Sequence, residues 1–490
     1  MHNSQGLEKV LSLRQEILAG DEKRLKEQRD AGKLTARERI AKIADAGSFV
    51  ELFALVSRNN EGAGVITGYA TIEERPVYLF AQDFTVRGGA MGQLQAAKIV
   101  KLLDLAQKTG APVLALMDSA GVRIDEGAQA LSAYSEIYQK MARMSGVCPM
   151  VALVLGPCIG GAALLSQLAD VSIVAEKVGQ LMVFGPQVMA AMSGAQVDAE
   201  KFGGAKVAAE TGACALTAAS EDEALLKARQ VLALLPSSNL EDTEIVDTDD
   251  LNRLLPAIDP ADVDALLNAV ADQGTLVELY AAYEPSVKVA LARLGGYSVG
   301  LVAANGKLTA GALQKAARFV RFMDCYGIPV VSLLNTSGVE VNGVKEQSWL
   351  FKAQSQLLYA YAEATVPKVA VVTGDAIGQA YVAMGGKAMA DVTYAWPSAV
   401  ISALTPEAAV AVLYQDEVKA DKELSVEEAR AKYAAEYVEN VAGCLNAAKQ
   451  GMVDDVIEPA KTRAMLISAL EMLMSKRDSN PPKKHGNLPM

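Results

Sequence analysis

Two short segments, "GPCIGGA" (156–162) and "GDAIGQA" (374–380), each follow an apolar run and open into a stretch of small residues. Glycines there let the chain turn sharply and leave the N–H groups of a helix N-terminus facing a ligand. Two such amides aimed at one point form an oxyanion hole, which stabilises the charge of an enolate-like species. The only histidines are His2 and His485, one at each end, so the interior lacks the usual general base. Close packing of strand on helix explains any single glycine turn. Two copies without an interior histidine shift the balance towards backbone chemistry.

Other chemistries fit less well. "GPCIGGAAL" lacks both GxxxxGK[ST] and GxGxxG, and "GLVAANGKLT" has the wrong spacing, so phosphate loops are set aside. From Met144 to Ala169 no residue is charged, but Pro149, Pro157 and Gly160–Gly161 break any spanning helix. The matching stretch further on carries Lys368 and Asp375. Five scattered cysteines with no CxxC pair speak against a zinc site or a disulfide framework, and no metal is expected. A formal net charge of −12 excludes a nucleic-acid surface. The charged N-terminus has no signal-peptide core, and a cytoplasmic location is expected.

The elements that must carry the turns repeat. "GAPVLALMDSAGV" (110–122) aligns with "GIPVVSLLNTSGV" (327–339) at an offset of 217. "PMVALVLGPCIGGA" (149–162) aligns with "PKVAVVTGDAIGQA" (367–380) at an offset of 218. Each copy reads as a buried strand entering a small-residue turn, with a helical stretch upstream. The chain is thus expected to be a duplicated α/β protein. Its domains are expected at 1–240 and 271–490, joined by an acidic, proline-bearing linker at 241–270.

Further segments carry a resemblance: "GKLTARERI", "GVITGYATI", "FAQDFTVRGGAMG", "SAGVRIDEG", "GPCIGGA", "FGGAK", "ARFVRFMDCYGIPVV", "LLYAYAEATVPKV", "YAWPSAVI", "VDDVIEP" with "TRAML", and "KKHGNLPM". Together they resemble the carboxyltransferase subunits of biotin-dependent acyl-CoA carboxylases and decarboxylases, most of all the propionyl-CoA carboxylase β and methylmalonyl-CoA decarboxylase branches. The resemblance implies two crotonase-like (ClpP/crotonase) domains with a β-β-α superhelix, acyl-CoA over the first and biotin over the second. It implies a carboxyl group moving between biotin and a short acyl-CoA (propionyl/methylmalonyl or acetyl/malonyl), with no protein base. By motif match, Gly160 and Gly161 hold one oxyanion, and Gln379 and Ala380 the other. Ser119, Ala120, Gly121 and Arg123 shape the acyl-CoA side, Phe84, Gly88, Gly89 and Lys98 lie near the CoA path, and Val382 stands where acyl selectivity is set. The chain departs from the family pattern with "NTSGV" (335–339), with Gly374 and Asp375 in place of a basic pair, and with Gln379 in place of glycine.

No biotinylation motif or ATP loop is present, so biotin is expected in trans on a biotin carboxyl carrier protein. A biotin carboxylase or a membrane decarboxylase subunit is the further expected partner. The resemblance also implies a homohexamer, a trimer of dimers in which one subunit's N-domain faces another's C-domain. Two readings compete: a biotin-independent crotonase-like hydrolase or decarboxylase, and a non-catalytic structural subunit. If Gly161 serves only the oxyanion, Gly161→Val should lower kcat with little change in melting temperature.

Overall fold

Apolar runs without alternation form strands covered on both faces, and the chain places its longest ones at the centres of two sheets. The computed structural model describes residues 2–58, 61–194, 196–247, 249–341 and 343–489. Its contacts divide the chain into two units, one ending at Asp242 and the other beginning at Thr243. In the first unit the strands are β1 (Val50–Leu52), β2 (Val65–Ile72), β3 (Arg75–Gln82), β4 (Val113–Ser119), β5 (Met150–Ile159), β6 (Val171–Ala175), β7 (Gln180–Met182) and β8 (Leu216–Ala218). They are ordered β1-β2-β3-β4-β5-β6-β8, with β7 on the end of β5. In the second unit β9 (Val277–Leu279), β10 (Val287–Leu294), β11 (Tyr297–Leu308), β12 (Val330–Val339), β13 (Lys368–Ile377), β14 (Val392–Ala395), β15 (Val400–Ser402) and β16 (Asp455–Val456) repeat that order, with β15 on the end of β13.

The directions repeat as well. The first two pairings of each sheet are antiparallel and the others parallel. Even the irregularities coincide: the β4–β5 ladder shifts register between Met117 and Ser119, and the β12–β13 ladder between Leu334 and Thr336. Such shifts re-aim the chain at a strand end. Here they turn it into "SAGV" and "TSGV". The duplicated α/β expectation holds.

The helices of the first unit include α1 (His2–Ala19), α2 (Glu22–Asp30), α3 (Ala36–Ile43), α4 (Gln93–Thr109), α5 (Ala128–Met144), α6 (Gly161–Leu168) and α7 (Glu221–Ala233). Those of the second include α8 (Val263–Val270), α9 (Ala310–Cys325), α10 (Val344–Glu363), α11 (Gly378–Gly385) and α12 (Thr462–Leu473). Sequence sets their starts: Thr35 and Glu38 form a capping box on α3, and the Thr309 hydroxyl accepts the Ala312 N–H of α9. By contrast α6 and α11, which follow the glycine turns, have no side-chain cap. Their first N–H groups are left for another acceptor.

Phe80, Ile99, Leu102, Leu103, Met117, Ile137 and Val154 centre the first core, and Leu266, Leu294, Leu301, Val331, Val371 and Leu466 the second. Within the stretch read as linker, Leu255, Val263, Leu266, Leu267 and Val270 are buried in the second core. The uncharged stretch from Met144 to Ala169 folds mainly as β5 and α6. Among the described residues no helix is long and apolar enough to cross a membrane.

Candidate active site

In the first unit the strand ends β4 and β5 bring two turns together, since Ser119 pairs with Cys158. At the β4 turn Gly121 adopts φ +109°, a region that favours glycine. A Cβ there would lie 3.2 Å from the Ile159 carbonyl oxygen. The Ser119 hydroxyl accepts the Gly121 N–H at 3.2 Å, while the Ala120 N–H donates to Gly88 O at 2.8 Å. Arg123 N–H donates to Met91 O at 2.8 Å. Among the described residues, the Val122 N–H has no intramolecular acceptor.

At the β5 turn Gly160 has φ +60°, and its N–H donates to Met182 O on β7 at 2.8 Å. This corrects the expected donor pair, because the Gly160 amide is engaged in the sheet. The first intrahelical bond of α6 runs from Leu164 N–H to Gly160 O, 3.3 Å, so the Gly161 and Ala162 amides precede it. Among the described residues, Val122, Gly161 and Ala162 therefore carry amides that these two turns leave without an intramolecular acceptor. Val122 was missed in the sequence, although its signal is present: in both repeats a valine follows the left-handed glycine.

The second unit repeats the design. Gly338 has φ +104°, its N–H donates to Thr336 Oγ1 at 3.2 Å, and Val339 stands where Val122 does. Gly378, at φ +68°, is the counterpart of Gly160. Gln379 then matches Gly161, and Ala380, fully buried, matches Ala162. The side chain of Val382 lies one helical turn beyond Gly378 on α11 and is partly exposed.

The CoA-side expectations divide. Phe84, Gly88 and Gly89 gather on the β4 turn: a Cβ at Gly88 would lie 3.1 Å from that of Ala120, and one at Gly89 only 2.2 Å from Asp118 O. Lys98 and Arg123 are corrected. Lys98 is buried and donates to Val65 O at 2.7 Å, while buried Arg123 donates to Ala90 O and Ala63 O at 3.1 and 3.0 Å. Both cations are tied to backbone carbonyls, and Arg123 also lies 3.6 Å from the Glu126 carboxylate. Lys315 is the repeat of Lys98 and donates to the Tyr283 carbonyl. Burial pushes the ammonium groups of Lys98 and Lys315 down to about 8. The unfolded chain therefore holds more protons above that pH, and these sites make stability rise between pH about 8 and about 10.5. The Lys98→Met, Lys315→Met double variant should lose that rise when denaturant midpoints are compared across the window.

Behind the β4 turn, Asp118 is fully buried and bonds Lys33 at 2.7 Å and Arg39 at 2.9 Å. Arg39 also bonds Glu221 at 2.6 Å and Leu155 O at 2.7 Å. The Lys33 ammonium lies 4.2 Å from the Phe84 ring centroid. In the second unit the matching residue is Asn335, which donates to Asn305 Oδ1 at 2.9 Å and accepts the Asp375 N–H at 3.0 Å. A glycine faces each: a Cβ at Gly156 would sit 2.0 Å from Asp118 Oδ1, and one at Gly374 2.3 Å from Asn335 Oδ1. The difference between the two units at this position thus has a physical basis. The acid of the first unit is neutralised by the N-terminal segment, while the second unit uses a neutral amide at the same place.

The carboxyl transferase domain family matches residues 27–488. The chain belongs to this family. This carboxyltransferase is 39% identical to the methylmalonyl-CoA decarboxylase subunit alpha of Veillonella parvula, over 96% of both chains. It is 41% identical to a putative propionyl-CoA carboxylase beta chain of Bacillus subtilis (strain 168), again over 96% of both. The crystal structure of transcarboxylase 12S, a hexamer assembly with hydrolysed methylmalonyl-coenzyme A bound, superposes with a TM-score of 0.91 at 37% identity. That match covers 99% of this chain and 98% of the other. The two α/β units of this carboxyltransferase are accordingly crotonase-like domains.

Proposed function

We propose that the first turn pair holds the thioester oxygen of a short acyl-CoA, propionyl/methylmalonyl or acetyl/malonyl, and that the second holds the ureido oxygen of biotin. The observation that carries this reading is the pair of matched turns whose leading helix amides precede any intrahelical bond. Val122 and Gly161 face the oxygen that becomes anionic as the α-carbon gains or loses its carboxyl group, and donors fixed in advance need no reorganisation. Ser119, Ala120 and Gly121 set the β4 turn, with Phe84, Gly88 and Gly89 packed against it. Val382 lies beside the second turn and bears on acyl choice. The amides of Gln379 and Ala380, which match those of Gly161 and Ala162, with Val339 at the place of Val122, suit an anionic ureido oxygen, so the residues present fit the cofactor. Bound there, biotin would supply or accept the carboxyl group and exchange the α-proton, a task no interior histidine performs.

Biotin arrives on a separate carrier protein, with a biotin carboxylase or a membrane decarboxylase subunit as the further partner, in a cytoplasmic complex. A homohexamer is supported by the transcarboxylase 12S assembly. It is also supported by matched exposed apolar residues, Ile124 and Leu131 in the first unit and Val344 and Phe351 in the second. Such residues mark faces that associate.

Purified protein incubated with methylmalonyl-CoA should lose the substrate's carboxylate only when free biotin is added, followed as propionyl-CoA formation. Decarboxylation without biotin would favour a biotin-independent enzyme instead. Complete inactivity on both methylmalonyl- and malonyl-CoA would point to a structural subunit.

A further inference from the structure

Two tyrosines on α5, one helical turn apart, tie together the turns that bear the donor amides. Tyr134 Oη donates to Gly121 O at 3.0 Å, and Tyr138 Oη donates to Gly161 O at 3.1 Å. Their rings stack with centroids 5.5 Å apart and planes 20° apart, so each ring packs against the other. Gly121 O also accepts the Met91 N–H at 2.8 Å and the Ser119 hydroxyl at 3.3 Å. Because a peptide unit is planar, fixing Gly121 O fixes the direction of the Val122 N–H on its far side. By the same planarity the bond to Gly161 O fixes the direction of the Ala162 N–H, and it holds Gly161, the first residue of α6, from its carbonyl side. The Tyr134 ring closes the arrangement, since a Cβ on Gly161 would lie 2.6–2.7 Å from its atoms.

Among the described residues the second unit has no such clamp. Ala130, Ala133 and Ile137 are buried on α5, and Leu350, Ala353 and Leu357 repeat that spacing on α10. Gln354 and Leu358 therefore stand where Tyr134 and Tyr138 do. We infer that Tyr134 and Tyr138 are positioning residues of the first unit: Tyr134 aims the Val122 amide at a bound thioester oxygen, and Tyr138 anchors the start of α6, whose Gly161 and Ala162 amides lead the helix. This rests on the reading given under Proposed function. Burial holds both phenols above their ordinary range, so they remain hydroxyl donors at working pH.

The test is Tyr134→Phe, which keeps the ring and removes the bond. Infrared spectroscopy of propionyl-CoA labelled at the thioester carbonyl, with biotin withheld, reports how strongly the bound carbonyl is polarised. Wild-type protein should lower the carbonyl stretch on binding. Tyr134→Phe should lose a large part of that shift and about tenfold in kcat for biotin-dependent decarboxylation, with KM within about twofold. A variant that keeps the wild-type carbonyl shift overturns the positioning role, whatever its kcat. If Tyr134→Phe does not assemble, Tyr138→Phe, whose side chain is only partly buried, decides on the same two readouts. Wild-type protein that neither polarises the carbonyl nor decarboxylates with biotin defeats the underlying reading instead.

Discussion

Arg39→Met should destabilise the protein by about 3–5 kcal/mol, because it leaves Asp118 and Glu221 buried against less compensating charge. Arg39 has no exposed surface and serves Asp118, Glu221 and the Leu155 carbonyl together. Lys33 alone then faces Asp118. The second unit supplies the repair: at the matching position Asn335 is satisfied without any cation. Arg39→Met with Asp118→Asn should therefore recover much of the loss in equilibrium denaturation, whereas Asp118→Asn alone leaves Arg39 with Glu221 as its one carboxylate partner. A double variant no more stable than Arg39→Met would show that the cluster's worth lies elsewhere, in the Glu221 pair.

The second large effect is at Gly161. Gly161→Ala should lower kcat about a hundredfold, the scale of losing one oxyanion donor. It should also destabilise by about 1–3 kcal/mol, the scale of overpacking. The sequence expectation of an unchanged melting temperature is corrected by the Tyr134 ring, which already occupies the space a Cβ needs. Gly161→Ala with Tyr134→Gln imitates the pairing of Gln379 with Gln354. Melting scans should show stability returning, while steady-state kinetics should show that the rate does not. Recovery of full activity in that variant would mean the ring's only task is to fill space.

The duplication was legible because strand and turn segments repeat at nearly one offset, and buried parallel strands leave unbroken apolar runs. The glycine turns were legible for a related reason: left-handed backbone leaves glycine where other residues strain. What escaped was whatever depends on partners distant in sequence. Gly160 looks like a donor until β7 returns to accept its N–H. Lys98 and Arg123 look like ligand groups until their burial and carbonyl partners are seen. Val122 is an ordinary valine whose value lies in an amide, and Tyr134 reads as one more apolar position on a helix. Asn335 appeared only within a departure from the family pattern, and its contrast with Asp118 takes on meaning only once Lys33 and Arg39 are placed.

The ion cluster of the first unit also bears on the order in which the chain acquires its structure as it leaves the ribosome. Arg39 and its partner Glu221 are separated by 182 residues, and Arg39 and Asp118 by 79. Synthesis runs from the N-terminus, so this centre stays half-neutralised until nearly all of the first unit has emerged. The second unit's equivalent bond, Asn335 to Asn305, spans 30 residues and carries no charge. Its closure needs a far shorter loop and no late-arriving counter-ion. Two halves built to one plan thus mature on different schedules: the earlier-made half waits for its own last helix, while the later-made half sets its centre from neighbouring strands.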